Sequence, residues 1–453
     1  MYDWSRASSY QDRLMRQIIK LLAAAATTLL LAFSASAADS PPFPRLAGVN
    51  NGSPHNYEDP AYQAKLAKLN WSMLAIWVGW GVSSDTTMEQ VVRNIKAINP
   101  NSRVFLYENP MEVAEGNASA AVVFEKNDQM KWWAYERGSS GPLLLSPFGK
   151  QNSRAQYQVN NTLFTPKDSS GYQQWEWHAR WVVQQFYKPN PSMDGFFEDN
   201  VFWRPRVDAD WNRDGVTDLK DSPQAGKWLR DALAKRFALF DTLMPGKLMI
   251  GNIADWGHSK AVLTELDQTL NGGLIEGIIG KYYSVETWST WAEMMRWYRK
   301  TMAAVAEPKL VAFHQVGAVT DYRAMRYGLA SCLLDNGYYA FTDETKGYSG
   351  VVWFDEYDSK LGKAVKPPST TAWQKGTYRR DFENGIVIVN PKGNGPVEVT
   401  LEEDFRRLSG KQDPAVNNGA LTRKLVLQDR DGIILKRVTP IAAPTAPKLV
   451  AVH

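Results

Sequence analysis

Two acidic residues stand where a strand pattern would aim them at a common space. The segment Asp194-Gly195-Phe196-Phe197-Glu198-Asp199-Asn200 reads as the end of a strand. Side chains alternate along a strand, so Phe197 and Asp199 share one face while Phe196 and Glu198 share the other. The parity that turns Asp199 inward sends Glu198 toward whatever packs outside. Farther on, Leu274-Ile275-Glu276-Gly277-Ile278-Ile279 sets one carboxyl in an apolar run, a costly position unless the group is paired or functional. Two carboxyls flanking one bond are the apparatus of glycoside hydrolysis. One attacks or activates water, and the other protonates the leaving oxygen. An apolar neighbourhood favours the protonated form of a carboxyl, which suits Glu276 to the acid role. Asp199, beside Asn200 and nearer solvent, is expected to stay ionised and to act as nucleophile. Structural salt bridges would explain either residue as well.

Other strand ends supply candidate sugar contacts: Asn50, Trp77, Tyr107, Glu108, Asn252, Asp255, Tyr282, His314 and Asp343. Asp343 and Glu344 form a reserve acid pair should Glu276 be buried and inert. A second constellation runs Asp210-Trp211-Asn212-Arg213-Asp214-Gly215-Val216-Thr217-Asp218-Leu219-Lys220-Asp221. It matches a calcium-loop pattern, with oxygens from Asp210, Asn212, Asp214, the Val216 carbonyl, Asp218 and Asp221 around a turn that Gly215 permits. Asp at the twelfth position resembles the dockerin-type loop. A structural Ca²⁺ bracing the rim is expected, and no catalytic cofactor; an exposed acidic turn is the alternative. The chain has no His-Glu-x-x-His and no Gly-x-Ser-x-Gly, which argues against a zinc hydrolase and an α/β-hydrolase elbow.

Positioning these groups falls to eight short β-rich runs at 46–50, 73–78, 103–108, 195–200, 248–252, 274–279, 310–314 and 338–342. Helical-period stretches at 88–98, 174–187, 225–243, 290–306 and 322–334 lie between several of them. Eight strands in βα alternation predict a (β/α)₈ TIM barrel, and no Gly-x-Gly-x-x-Gly follows any strand to suggest a dinucleotide fold. A long insertion at 109–191 carries Trp132, Trp133, Trp175, Trp177 and Trp181. It should land on the C-terminal face, where exposed aromatics could stack on sugars. Trp175, Trp177 and Trp181 are expected instead to pack a helix against the barrel. Past a linker at 367–371, alternating strands and the Asn384-Gly385 hairpin signal predict a small antiparallel β domain. The expected domains are 1–37, a signal peptide; 38–365, the barrel; 366–440, a β-sandwich-like module; and 441–453, a Pro/Ala-rich tail.

The 453 residues are 44% hydrophobic and carry a formal net charge of +4. Arg6, Arg13, Arg16 and Lys20 outnumber Asp3 and Asp12 in the first 37 residues, leaving the rest near neutral with no basic block. That gives no case for nucleic acid. Basic residues, an apolar run at 21–33 and Ala35-Ser36-Ala37 have the layout of a secretory signal peptide, so a secreted or periplasmic protein is expected. The apolar run is short for a membrane span, and none is expected in the mature chain. Cys332, the one cysteine, excludes an intrachain disulfide and reads as a core thiol.

The strand ending in Asp199, the later Ile275-Glu276-Gly277, the Trp353-Phe354-Asp355-Glu356-Tyr357-Asp358 block with Leu361-Gly362-Lys363, and the run from Tyr378 to Pro391 resemble bacterial glycoside hydrolase barrels. Those barrels are allied at a distance with α-galactosidase-like barrels and endo-α-1,4-polygalactosaminidases. The resemblance implies a strand-four aspartate as nucleophile, Asp199, and a strand-six acid as proton donor, Glu276. It also implies retention of anomeric configuration, with inversion left open. The expected partner is a polysaccharide or oligosaccharide, acted on by a monomer. The rival reading is a carbohydrate-binding barrel without turnover; a barrel hydrolase using Ca²⁺ at its site is a third.

Overall fold

The computed structural model describes residues 41–50, 52, 54–75, 86–139, 141–151, 153–258, 261, 269–280 and 284–441. The expected signal peptide, most of the tail, and the predicted contacts Trp77 and Tyr282 lie outside the described residues.

Eight parallel strands form the barrel in chain order: β1 (Ala47–Asn50), β2 (Trp71–Leu74), β3 (Arg103–Glu108), β4 (Gly195–Glu198), β5 (Leu248–Asn252), β6 (Gly272–Gly280), β7 (Leu310–Gly317) and β8 (Tyr338–Asp343). A parallel bridge between Leu46 and Tyr339 closes the ring, with the Tyr339 N–H donating to the Arg45 carbonyl at 2.8 Å. Alternation along these strands sorts the apolar residues into two cores. Val49, Trp71, Met73, Phe105, Phe197, Ile250, Leu274 and Ala312 fill the interior. Leu106, Phe196, Met249, Ile275 and Phe313 face outward into a larger core shared with the helices.

The main helices are α1 (Pro60–Leu66), α2 (Met88–Ile98), α3 (Gln174–Val182), α4 (Pro223–Leu243), α5 (Trp291–Ala304) and α6 (Tyr322–Leu333). Their starts follow local chemistry. Ser222 caps α4 by accepting from the Ala225 N–H, with Pro223 preset at the first turn. Thr290 accepts from the Glu293 N–H at the start of α5. The stretch expected as one helix to Tyr187 instead changes at Val183 into a π-helical segment, Val183–Tyr187.

The insertion between β3 and β4 folds as a three-stranded antiparallel sheet of Glu112–Ala114, Arg154–Gln158 and Leu145–Gln151, with the helix Ala121–Met130. Trp133 sits in that subdomain's core with Trp177 and Trp181 packed against it, and Trp181 also packs against the barrel's outer core, as expected for α3. Trp132 and Trp133 are fully buried, and Trp177 and Trp181 of α3 stack on each other against the Trp133 cluster.

The C-terminal strands β9 (Tyr378–Phe382), β10 (Gly385–Asn390), β11 (Val397–Arg407), β12 (Leu421–Leu427) and β13 (Asp431–Arg437) form one antiparallel sheet ordered β9-β10-β13-β11-β12. The expected sandwich is therefore corrected to a single sheet. Ile386, Ile388, Phe405 and Leu435 make its own core, while Val387, Val389 and Ile434 on its other face join the core containing Leu329 and Ala330 of α6. A barrel helix takes the place of the second sheet.

Candidate functional site

Asp199 follows β4 directly, on the inward parity. Its Oδ2 accepts from the Tyr107 hydroxyl at 2.7 Å, and its Oδ1 accepts from the Asn252 side-chain amide at 3.1 Å and the Asn200 N–H at 2.9 Å. The inward Tyr107 ring lies parallel to Phe197, with centroids 6.2 Å apart. The Asn252 Nδ2 that reaches Asp199 also donates to Glu276 Oε2 at 2.8 Å. One amide nitrogen thus spans both acids. With contacts of 3.1 and 2.8 Å from one nitrogen, the two bound carboxylate oxygens lie no farther apart than about 6 Å.

Glu276 sits on a local distortion of β6. The register runs Ile275 opposite Phe313 and then Ile279 opposite Gln315, so three residues of β6 face the single residue His314. Such a bulge re-aims a side chain, and Gly277 at φ +57° supplies the left-handed turn it needs. The Gly277 N–H donates to His314 Nδ1 at 3.0 Å, leaving Nε2 to carry the ring proton toward Thr342 Oγ1 at 2.8 Å. Burial pushes His314 down to about 4, so the ring acts as a neutral post behind the bulge. Glu276 Oε1 accepts from the Tyr348 hydroxyl.

Burial, and next the like charge of Glu276, push the Asp199 carboxyl up to about 6, against the donors Tyr107, Asn252 and Asn200. Asp199 is therefore harder to ionise than an ordinary aspartate, yet at about 6 it is still mostly a carboxylate at neutral pH, in line with the expectation from sequence. It is enclosed by the barrel mouth and faces a second acid.

The remaining predicted contacts divide. Tyr107, Asn252 and His314 join the two acids. Glu108 does not: it is buried outside the wall against Arg236, because Tyr107 already faces in and its neighbour must face out. Asn50 is buried and donates to the Tyr62 hydroxyl at 3.1 Å and the Gly350 carbonyl at 3.3 Å. Asp255 is buried with Arg206 at 3.8 Å; burial raises its carboxyl to about 6, opposed by Arg206 and Arg204. Asp343 accepts from the Thr345 N–H at 2.9 Å and hydroxyl at 2.8 Å, which commits it to a turn and removes it as a reserve acid. The sequence reading missed Tyr348, Thr342 and Glu112. Glu112 lies near enough to Asp199 for its charge to help raise the Glu112 carboxyl, after burial as the first cause. A tyrosine just past the β8 turn was the available signal for Tyr348.

In the acidic loop, Asp210 accepts from the Asp214, Gly215 and Gly138 N–H groups, and Asp218 Oδ2 accepts from the Trp211 N–H. Asn212 donates to Asp214, Val216 donates its N–H to Asp214, and Asp221 pairs with Arg204 at 2.6 Å. Among the described residues no three carboxylate, imidazole or thiol groups converge to hold a metal. The donors at Asp210, Asn212, Asp214 and Asp218 are of the hard kind calcium takes, but the twelfth position is turned away to Arg204.

The profile of hypothetical glycosyl hydrolase family 15 matches residues 96–386, more than half of the chain. The chain belongs to that family. As a member of hypothetical glycosyl hydrolase family 15, the protein is a glycosidase built on a TIM barrel. No curated protein matches it. Similar solved structures include the glycoside hydrolase domain of PelA from Pseudomonas aeruginosa, 15% identical over 69% of this chain and 98% of that one, TM-score 0.40. An α-amylase from Geobacillus thermoleovorans, complexed with acarbose, is 10% identical over 86% and 98%, TM-score 0.45. A GH36 α-galactosidase from Geobacillus stearothermophilus is 9% identical over 88% and 55%, TM-score 0.42. No helix among the described residues is long and apolar enough to cross a membrane.

Proposed function

We propose that this glycosidase cleaves a polysaccharide or oligosaccharide with retention, using Asp199 as nucleophile and Glu276 as acid and then base. The observation that carries the reading is the Asn252 amide donating to both carboxylates. A separation of no more than about 6 Å suits direct attack on the sugar, whereas inverting pairs need roughly 6.5–9.5 Å to admit water. Three donors converge on Asp199, the environment of a carboxylate that must attack and later leave as an anion. Tyr348 and Asn252 hold Glu276 from two sides, which fixes its reach toward the leaving oxygen. The same proposal places the enzyme outside the cytoplasm, on the strength of the leader-like first 37 residues.

The acidic loop behind Asp199 is included as a structural Ca²⁺ site, in which Asp221 exchanges Arg204 for the ion. Oxygen donors at Asp210, Asn212, Asp214 and Asp218 support that reading, as does the turn at Gly215. The ion would brace the rim and take no part in bond cleavage.

Wild type and Asp199→Asn incubated with a panel of bacterial exopolysaccharides and plant glycans test the function. Release of reducing ends by wild type alone is expected, with the first product in the substrate's anomeric configuration by NMR. Full activity in the variant removes Asp199 from the mechanism. Binding without release by wild type favours a carbohydrate-binding barrel.

A further inference from the structure

Behind the barrel wall lies a buried charged cluster that the proposed chemistry leaves unused. Glu108 of β3 and Glu198 of β4 are register partners across the two strands, and both side chains point away from the barrel interior. Arg236, from α4, enters between them with 1% of its side chain exposed. Its Nε donates to Glu198 Oε1 at 2.7 Å, its Nη2 donates to Glu108 Oε1, and its Nη1 donates to the Trp175 carbonyl at 3.1 Å. His178 of α3 stands 3.8 Å from Glu108 and is also buried. One guanidinium therefore faces two carboxylates in a dry space. Apolar residues of similar volume often stabilise such a position as well or better, so stability does not account for the cluster.

Its placement does. Glu108 is the chain neighbour of Tyr107, and Glu198 that of Asp199. The Asp199 N–H also donates to the Glu108 carbonyl at 2.8 Å. We infer that Arg236 is a positioning residue for hydrolysis: by stapling Glu108 to Glu198 on the outer face, it fixes the Tyr107–Asp199 hydrogen bond on the inner face. This rests on the reading of Asp199 as nucleophile. A planar fork that binds two carboxylates at fixed angles is what such a staple needs, and a lysine ammonium cannot reproduce it. Burial pushes Glu108 up to about 7, with Arg236 opposing and Glu198 adding to the rise.

The groups facing Asp199 are Tyr107 of β3, Glu112 of the inserted sheet, Asn252 of β5, Glu276 of β6 and Tyr348 beyond β8. Of these, Tyr107 is the one Arg236 can move. Its hydrogen bond lowers the Asp199 carboxyl, so loosening it must raise that group further.

The test is a ¹³C NMR titration of protein labelled at the aspartate carboxyl, with the Asp199 signal assigned by its loss in Asp199→Asn. Arg236→Lys and Tyr107→Phe should each move the Asp199 midpoint upward by about half to one unit. The double variant should move it no further than the larger single shift, since both act through one bond. Arg236→Lys should also lower kcat at least about tenfold on a glycan that wild type cleaves, with KM within about twofold. An unmoved midpoint in Arg236→Lys, or single shifts that add in the double variant, overturns the staple. Should Arg236→Lys not fold, the Arg236→Lys/Glu108→Gln pair, with one buried cation facing one carboxylate, carries the same test. Full hydrolysis by Asp199→Asn overturns the site reading and the catalytic consequence with it, whereas the titration judges the staple alone.

Discussion

Replacing Asp199 with asparagine should stabilise the fold at neutral pH while removing activity. The aspartate is held at about 6 against an ordinary 3.8. That difference of about two units is worth about 3 kcal/mol, at 1.36 kcal/mol per unit. The folded value is the higher one, so the folded chain holds the proton more tightly than the unfolded chain. Stability from this group is therefore full below pH ~4 and is lost as pH rises through ~6. The asparagine amide avoids that loss. Its carbonyl can keep the donors Asn252 and Asn200, and its NH₂ can donate to a Tyr107 hydroxyl turned to accept. With about 2.1 cal/mol/K of unfolding entropy per residue over ~400 residues, the gain corresponds to about 4 °C in Tm. Thermal unfolding of both proteins at pH 7.5 and pH 4 measures it. The variant should lead at pH 7.5 and match wild type at pH 4. A variant less stable at pH 7.5, or a gap that does not change with pH, would refute the claim that Asp199 is a strained charge facing a second acid.

Tyr348→Phe removes a donor to Glu276 and nothing from Asp199. It should lower kcat about 10- to 100-fold with little change in KM, read from initial rates on a cleaved glycan. Calorimetric titration of metal-stripped protein should show one Ca²⁺ taken up, with the uptake lost in Asp214→Asn; no heat at millimolar calcium would end the loop proposal. Amino-terminal sequencing of the exported protein should begin at Ala38, and retention of the first 37 residues would contradict cleavage after Ala37.

The barrel was legible because each strand is a short apolar run bounded by polar turns, and the bounds of β3 and β5 match the sequence reading. Strand parity also gave Asp199 and its outward neighbour Glu198. The same rule, applied to β3, would have rejected Glu108 as a sugar contact once Tyr107 was chosen, since adjacent strand residues cannot both face in. Other features had no local signature. The bulge at Glu276 exists only in the pairing with β7, which no single segment encodes. Tyr348 reaches the mouth because Asp343 and Gly347 fold the chain back beyond β8. Arg236 lies mid-helix among apolar residues, and its partners stand 128 and 38 residues away in sequence. The sandwich expectation failed because alternation reports a two-faced sheet but not which element covers the second face.

The central claim is that Asp199 is the group that attacks the sugar. The most direct measurement is chemical rescue of Asp199→Ala by azide on a glycan that wild type cleaves, with products read by mass spectrometry. A protein inactive alone that releases glycosyl azide when azide is added is the predicted result. Hydrolysis at the wild-type rate without azide would contradict it.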